Sequence, residues 1–204
     1  DIMRGMLFEK LPLVLHIQLS RFVFDFTSDM SVKLNSRFEF PTTLDMRQFM
    51  DPDVLKEESE KEGSDKDYTY ELHAVMVHSG DSNVGHYYAY IKPTPTSGWF
   101  KFDDDRVTPA SEEEAVNENF GYSSDPSIAT AHAREQSTVP RSERIRLTAR
   151  LTNAYMLVYV RKSEYAQVLE PLQNAHLPKH VVDMCEAQKL AEIERRKQKI
   201  EECR

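Results

Sequence analysis

Cysteine and glycine are scarce in this chain of 204 residues, which has two cysteines, six glycines and one tryptophan. Both cysteines, Cys185 and Cys203, stand in the charged C-terminal stretch. Two thiols in one tail cannot supply a disulfide framework, and such usage fits a reducing intracellular compartment, nuclear or cytoplasmic. Neither has a second Cys or His at zinc-ligand spacing, so no structural metal and no cofactor is expected. Long apolar runs are missing too: none approaches the ~18–20 residues of a membrane span, and no secretory signal opens the chain. Cations are outnumbered, 26 against 34 acidic residues for a net charge of −8, which disfavours nucleic acid as a partner. The composition that remains, 40% apolar and 29% charged, is that of a globular domain. The first residue is not Met and the opening stretch already approaches a strand, so a segment of a longer protein is expected.

The charge is unevenly spread. Residues 51–67, DPDVLKEESEKEGSDKD, hold eight acidic and three basic residues, 3 − 8 = −5, and read as a surface loop without an apolar face. Residues 121–150, rich in Ser, Pro and Arg, read as an insertion of little order. Between them the pattern is β. LHIQLSRF sets Leu15, Ile17 and Leu19 on one face and His16, Gln18 and Ser20 on the other. YTYELHAVMVHS is apolar on both faces, as a central strand is. HYYAYIK, GWFKFDDD and NAYMLVYVRK carry the aromatic and β-branched residues of further strands. ASEEEAVNENF predicts a short helix capped by Ser111, with Glu112, Glu113 and Glu114 in its first turn. From Pro178 onward the chain predicts one long, mostly exposed helix. Its basic run (Arg195, Arg196, Lys197, Lys199) is interleaved with glutamates and reads as a solvated face rather than an import signal.

One stretch carries chemistry. In GDSNVGHYYAYIKP, residues 80–93, a polar glycine-rich segment turns into a strand at His86. The strands HYYAYIK and WFKFDDD are joined by PTPTSG, which favours an antiparallel hairpin. If Lys92 faces Ser97, paired numbers sum to 189 and His86 faces Asp103; a slip of two leaves the pair diagonal and still in reach. An imidazole held by a carboxylate is a base with a fixed orientation. Asp104 is then expected on the opposite face. A hairpin with an incidental His–Asp pair explains the same pattern. The nucleophile stays open: Ser79 and Ser82 are near in sequence but lie in no nucleophile elbow. A metal reading of His78, Asp81, His86 and Asp103 matches no established spacing. Cysteine is the natural partner, and both cysteines are in the tail.

The residues LPLVLHIQLSRFVFD, FEFP (38–41), YELHAVMVHSGDSNVGHYYAYIKP, WFKFDDDRVTPASEEEA and TNAYMLVYVR together resemble the C-terminal half of the catalytic domain of the ubiquitin-specific proteases. Within that family of papain-like deubiquitinases, the likeness is greatest to the herpesvirus-associated branch, whose domain also ends in TNAYMLVY and runs into a charged helix. The resemblance implies an α+β, papain-like fold: an antiparallel palm sheet over residues 1–162 with loops 51–67 and 121–150, then a helical connector over 163–204. It implies His86 as general base and Asp103 as its orienting acid, with the nucleophilic Cys in an upstream half of the domain. It implies ubiquitin and ubiquitinated proteins as partners, with ubiquitin-like domains following. Ubiquitin's tail is expected in a tunnel flanked by 80–85 and 51–67, with substrate-binding positions at Phe49, His78, Ser79, Gly80, Asp81, Gly85, Tyr87 and Tyr155. A non-catalytic ubiquitin-binding module is the alternative.

Overall fold

The apolar alternation of residues 68–79 becomes the organising strand of the molecule. In the computed structural model, residues 5–27, 29–60, 67–122, 151–170 and 177–202 are described. They form nine strands: β1 (Val14–Gln18), β2 (Phe22–Asp25), β3 (Met30–Lys33), β4 (Thr43–Asp45), β5 (Thr69–Gly80), β6 (Gly85–Ile91), β7 (Trp99–Asp103), β8 (Arg106–Ala110) and β9 (Thr152–Arg161). The helices are α1 (Pro52–Ser59), α2 (Glu112–Ala115), α3 (Tyr165–Val168) and α4 (Lys179–Glu202). Seven strands make one sheet in the order β1-β9-β5-β6-β7-β8, with β4 also on β5; β2 and β3 make a separate two-stranded sheet. Every ladder is antiparallel.

The chain divides into two compact units, Asp1–Leu169 and Glu170–Arg204. The first runs past residue 162, because a single 3-10 turn leads from β9 into α3, where Tyr165 is buried. The second contains α4, whose Met184, Leu190, Ile193 and Ile200 are exposed. No helix among the described residues is long and apolar enough to cross a membrane.

Side-chain alternation puts the core on one face of the sheet. Tyr70, Leu72, Val75 and Val77 of β5 meet Ala154, Leu157 and Tyr159 of β9 there, with Tyr90 and Trp99. Leu15 and Ile17 of β1 pair with Tyr159 and Leu157, so they join this face, as their spacing predicts. The cover comes from Phe40, Phe120, Ala115 and Val116, and at the other end from Leu11, Met46, Met50 and Tyr68. Ser111 caps α2 in a reciprocal capping box with Glu114.

Residues 51–67 depart from the expected loop. Asp51 caps α1 by accepting from the Asp53 N–H, Pro52 opens the helix, and Val54 and Leu55 pack on the core. The Asp-Pro start is a helix signal that the density of charge obscured. Residues 61–66, and nearly all of the 121–150 insertion, lie outside the described residues.

Two buried basic side chains tie the β2–β3 hairpin to the sheet; burial and the neighbouring Arg21 pull the Lys33 pKa down to about 7. Arg21, just before β2, donates to the carbonyls of Ala154, Leu34, Ser36 and Phe120 at 2.5–3.2 Å. Lys33, the last residue of β3, donates through Nζ to the carbonyls of His78 (2.8 Å), Gly80 (3.1 Å) and Leu151 (2.5 Å). The two side chains are 4% and 5% exposed, and removing either takes a donor from buried carbonyls, those of Ala154 and Phe120 for Arg21 and that of His78 for Lys33. Lys33→Met is expected to destabilise the domain by about 2–3 kcal/mol. Hydrogen exchange of the full-length protein should then quicken across Gly80–Gly85 while α1 is unchanged; equal protection in both proteins would refute the anchoring role.

Candidate active site

The β5–β6 hairpin closes on four residues, Asp81 to Val84, with Gly80 paired to Gly85. Asp81 organises this turn by accepting from the N–H groups of Asn83 and Val84, both at 2.8 Å. Its two glycines are there for steric reasons. Gly80 sits at φ +131, and a side chain there would meet the Val84 carbonyl at 2.4 Å. A Cβ at Gly85 would lie 1.9 Å from His78 Nε2. The His78 ring therefore occupies the volume that any other residue at 85 would fill.

Beyond the turn, His86 and Tyr87 face opposite ways. His86 pairs with Ser79 on the core face of the sheet; Tyr87 pairs with His78 on the other. The β6–β7 ladder runs Ala89↔Phe102, Tyr90↔Lys101, Ile91↔Phe100, a sum of 191 rather than 189. The connecting loop is wider than expected, closed by hydrogen bonds between Thr94 and Ser97. Asp103 consequently lies diagonal to His86, two places from direct opposition. The diagonal suffices: His86 Nε2 and Asp103 Oδ1 are 2.5 Å apart. With Nε2 so engaged, Nδ1 is the nitrogen left to exchange a proton with a reacting group. The Asp103 hydrogen bond raises the affinity of His86 for its proton above the ordinary histidine value.

Asp104 departs from the strand alternation expected of it. It is the first residue of the two-residue turn between β7 and β8 and takes φ 52. The turn folds it back, so that ligand atoms of His86, Asp103 and Asp104 lie within 4.8 Å of one another. Among the described residues this is the one grouping with metal-ligand spacing. Its central carboxylate is already shared between His86 and the ammonium of Lys101, 2.7 Å from Oδ2. A fixed cation there repels a metal ion.

On the opposite face an aromatic cluster forms. His78 contacts Tyr87 at 4.5 Å between ring centroids, Tyr87 contacts Tyr155 at 5.3 Å, and Phe22 of β2 meets His78 edge-on at 5.2 Å. The resemblance to the family places Phe49 in this group. Phe49 instead follows β4, beside the far end of β5, roughly 30 Å along the strand from His78. Phe22 takes the place by the turn, and no local signal distinguished it, because β2 pairs only with β3. The same correction applies to the flanking segments. The partner of the 80–85 turn is the β2–β3 hairpin, through Ser82 Oγ donating to the Ser31 carbonyl at 2.6 Å, and not 51–67. Ser79 and Ser82 are not poised as nucleophiles, since Ser79 shares a proton with Thr152 and Ser82 is committed to Ser31. Cys185 is exposed on α4.

An antiparallel sheet that presents a carboxylate-held imidazole at the rim of two neighbouring strands is consistent with the palm of a papain-like domain. The family model described as ubiquitin carboxyl-terminal hydrolase matches residues 5–159. The chain belongs to this family of deubiquitinases. It is similar to ubiquitin carboxyl-terminal hydrolase 15 of Saccharomyces cerevisiae, 42% identical over 184 residues, which cover 89% of this chain and 14% of that protein. It is also similar to ubiquitin carboxyl-terminal hydrolase 5 of Schizosaccharomyces pombe, 35% identical with 97% of this chain and 16% of the relative covered. Ubiquitin carboxyl-terminal hydrolase 7 of Drosophila melanogaster is 35% identical, with 96% and 15% covered. The chain thus spans about a seventh of the length of the curated relatives it matches.

His78 makes the site's fold sensitive to acid. It is 2% exposed, and its Nδ1 is buried without a hydrogen-bond partner among the described residues. Burial, helped by the nearby Lys33 cation, pulls its pKa down to about 4. A base whose pKa is lower folded than unfolded binds its proton preferentially in the unfolded state. The contribution of His78 to stability is therefore full above about pH 6.5 and falls, by up to about 3 kcal/mol, as pH drops to about 4. Urea unfolding of the full-length protein at several pH values should show this loss, and His78→Asn should flatten it.

Proposed function

We propose that this chain is the base-bearing part of an active deubiquitinase that hydrolyses the bond after the C-terminal glycine of ubiquitin. The observation that carries the reading is the 2.5 Å His86–Asp103 contact at the mouth of β6, in a chain of this family. A thiolate from a cysteine outside these residues attacks the carbonyl carbon, with His86 Nδ1 taking the thiol proton. His86 then protonates the departing amine and a thioester forms. Water, deprotonated by His86, attacks the thioester carbon; the C–S bond breaks, ubiquitin leaves with its carboxylate, and the cysteine sulfur recovers the proton from His86. Asp103 holds the imidazole in orientation throughout. The upstream half of the catalytic domain supplies the cysteine, and without it these 204 residues do not turn over substrate.

Ubiquitin's tail runs along the aromatic cluster. His78, Tyr87 and Tyr155 line its channel with Phe22, and the turn built from Ser79, Gly80, Asp81 and Gly85 forms one bank. The β2–β3 hairpin forms the other. The likeness of TNAYMLVY and of the charged α4 supports the herpesvirus-associated branch, with α4 leading into ubiquitin-like domains. Cysteine usage supports a nuclear or cytoplasmic location.

In the full-length protein, His86→Ala should abolish release of a fluorophore from the ubiquitin C-terminus while ubiquitin affinity stays within about threefold. Asp103→Asn should lower turnover by about three to four orders of magnitude. A wild-type protein that binds ubiquitin but releases no fluorophore would favour a binding module instead.

A further inference from the structure

Four side chains on the core face of β6 and β7 form a closed square. His86 and Tyr88 stand two apart on β6, and Lys101 and Asp103 two apart on β7. Asp103 divides its carboxylate: Oδ1 meets His86 Nε2 at 2.5 Å, and Oδ2 accepts from Lys101 Nζ at 2.7 Å. Lys101 Nζ in turn lies 4.0 Å from the centroid of the Tyr88 ring. The Tyr88 ring lies tilted at 6.1 Å from His86 and meets Tyr90 edge-on at 5.8 Å. The lysine is thus held from two sides, by a carboxylate oxygen and an aromatic face.

An ordinary exposed ion pair loses most of its worth to solvent and to the freedom of a long side chain. This one differs on both counts. Its side chains are 30% and 29% exposed, and the Tyr88 ring restricts where the ammonium can go. Occupying Oδ2 stops the carboxylate from rotating about its last bond, so Oδ1 stays aimed at the imidazole. Of the interactions that keep Asp103 ionised, the hydrogen bond from Lys101 is the foremost, ahead of that from His86. Lys101 also opposes the pull of Asp103 and Asp104 on the His86 proton. The remaining groups around the square are Ser79, paired with His86 from β5, and Glu114 and Glu118 near Tyr88 and Tyr90.

We propose that Lys101 is a positioning residue: it locks the Asp103 carboxylate onto His86 and offsets its charge, so that the imidazole remains a base able to give up its proton. The proposal rests on the deubiquitinase reading for its kinetic consequence, but the geometry it names is independent of that reading. In Lys101→Met, Oδ2 is released and the negative charge beside His86 is unbalanced. Two effects follow, a looser imidazole and one that holds its proton more tightly.

The test compares wild type, Lys101→Met, Lys101→Arg and His86→Ala in the full-length protein with a ubiquitin C-terminal fluorogenic substrate. Lys101→Met should lower kcat by about ten- to a hundredfold with KM within about twofold. The limb of the pH–rate profile that reports the imidazole should move to higher pH. Lys101→Arg keeps a cation over the ring and a donor to Oδ2, and should recover kcat to within about threefold of wild type. The second measurement does not need turnover: histidine-selective NMR, assigned with His86→Ala, should show the His86 titration displaced upward in Lys101→Met and little changed in Lys101→Arg. If wild type and His86→Ala are equally inactive, the deubiquitinase reading fails, and the NMR titration alone decides what Lys101 does to the pair. An unshifted His86 titration in Lys101→Met overturns the proposal, as does a wild-type kcat in that variant. A misfolded Lys101→Met is recognised by its lost histidine dispersion; Lys101→Gln, of similar length and neutral, then takes its place under the same criteria.

Discussion

The rest of the molecule hangs on β5. Its twelve residues pair with β9 along one edge, and with β4 and β6 end to end along the other. Strand pleating then forces successive side chains to opposite faces, and the faces have different duties. Tyr70, Leu72, Val75 and Val77 make the core; His78, on the reverse, makes the aromatic cluster. Two bulges, near His73 and near Tyr155, let the strands keep this division while the ladder shifts register. The second bulge brings Tyr155 to the side of Tyr87.

Because β6 copies the alternation of β5, one turn sets residues on both faces of the sheet. His86 stands on the core face, and the aromatic cluster begins one residue later with Tyr87. Any slip of one residue would exchange them and leave an imidazole in the aromatic cluster with a phenol beside Asp103. Register is held against such a slip at the turn. Asp81 closes the turn, and the His78 ring fills the space at Gly85. Lys33 adds a third restraint by gathering carbonyls from both β5 and the residue before β9.

Electrostatics around the pair is a balance of opposed terms rather than a single attraction. Asp103 raises the proton affinity of His86, and Lys101 moderates it. Asp104 adds to the negative side because a left-handed turn residue need not obey strand alternation. On the other face, burial and Lys33 keep His78 neutral, which suits a ring packed between aromatics. Two histidines eight residues apart are thereby driven in opposite directions by their surroundings.

Local patterns decided most of the strands, the capped helix at Ser111 and the identity of the His–Asp pair. Period-two apolarity is dictated by the pleat, and capping by the geometry of one turn, so both are written in adjacent residues. The long stretch beginning LPLVLHIQLS was legible for the same reason, and the joint GHYYAY and WFKFDDD segments pointed to the family. What stayed hidden was set by contacts between residues distant in the chain. The β6–β7 register depended on how a loop closes, which the strands alone do not specify. Phe22 rather than Phe49 faces His78 because buried Arg21 and Lys33 draw the β2–β3 hairpin to the turn, through bonds to carbonyls as far as 133 residues away in sequence. Backbone carbonyls are the same in every residue, so no side-chain pattern announces where such cations will find their acceptors; only the folded chain assembles them.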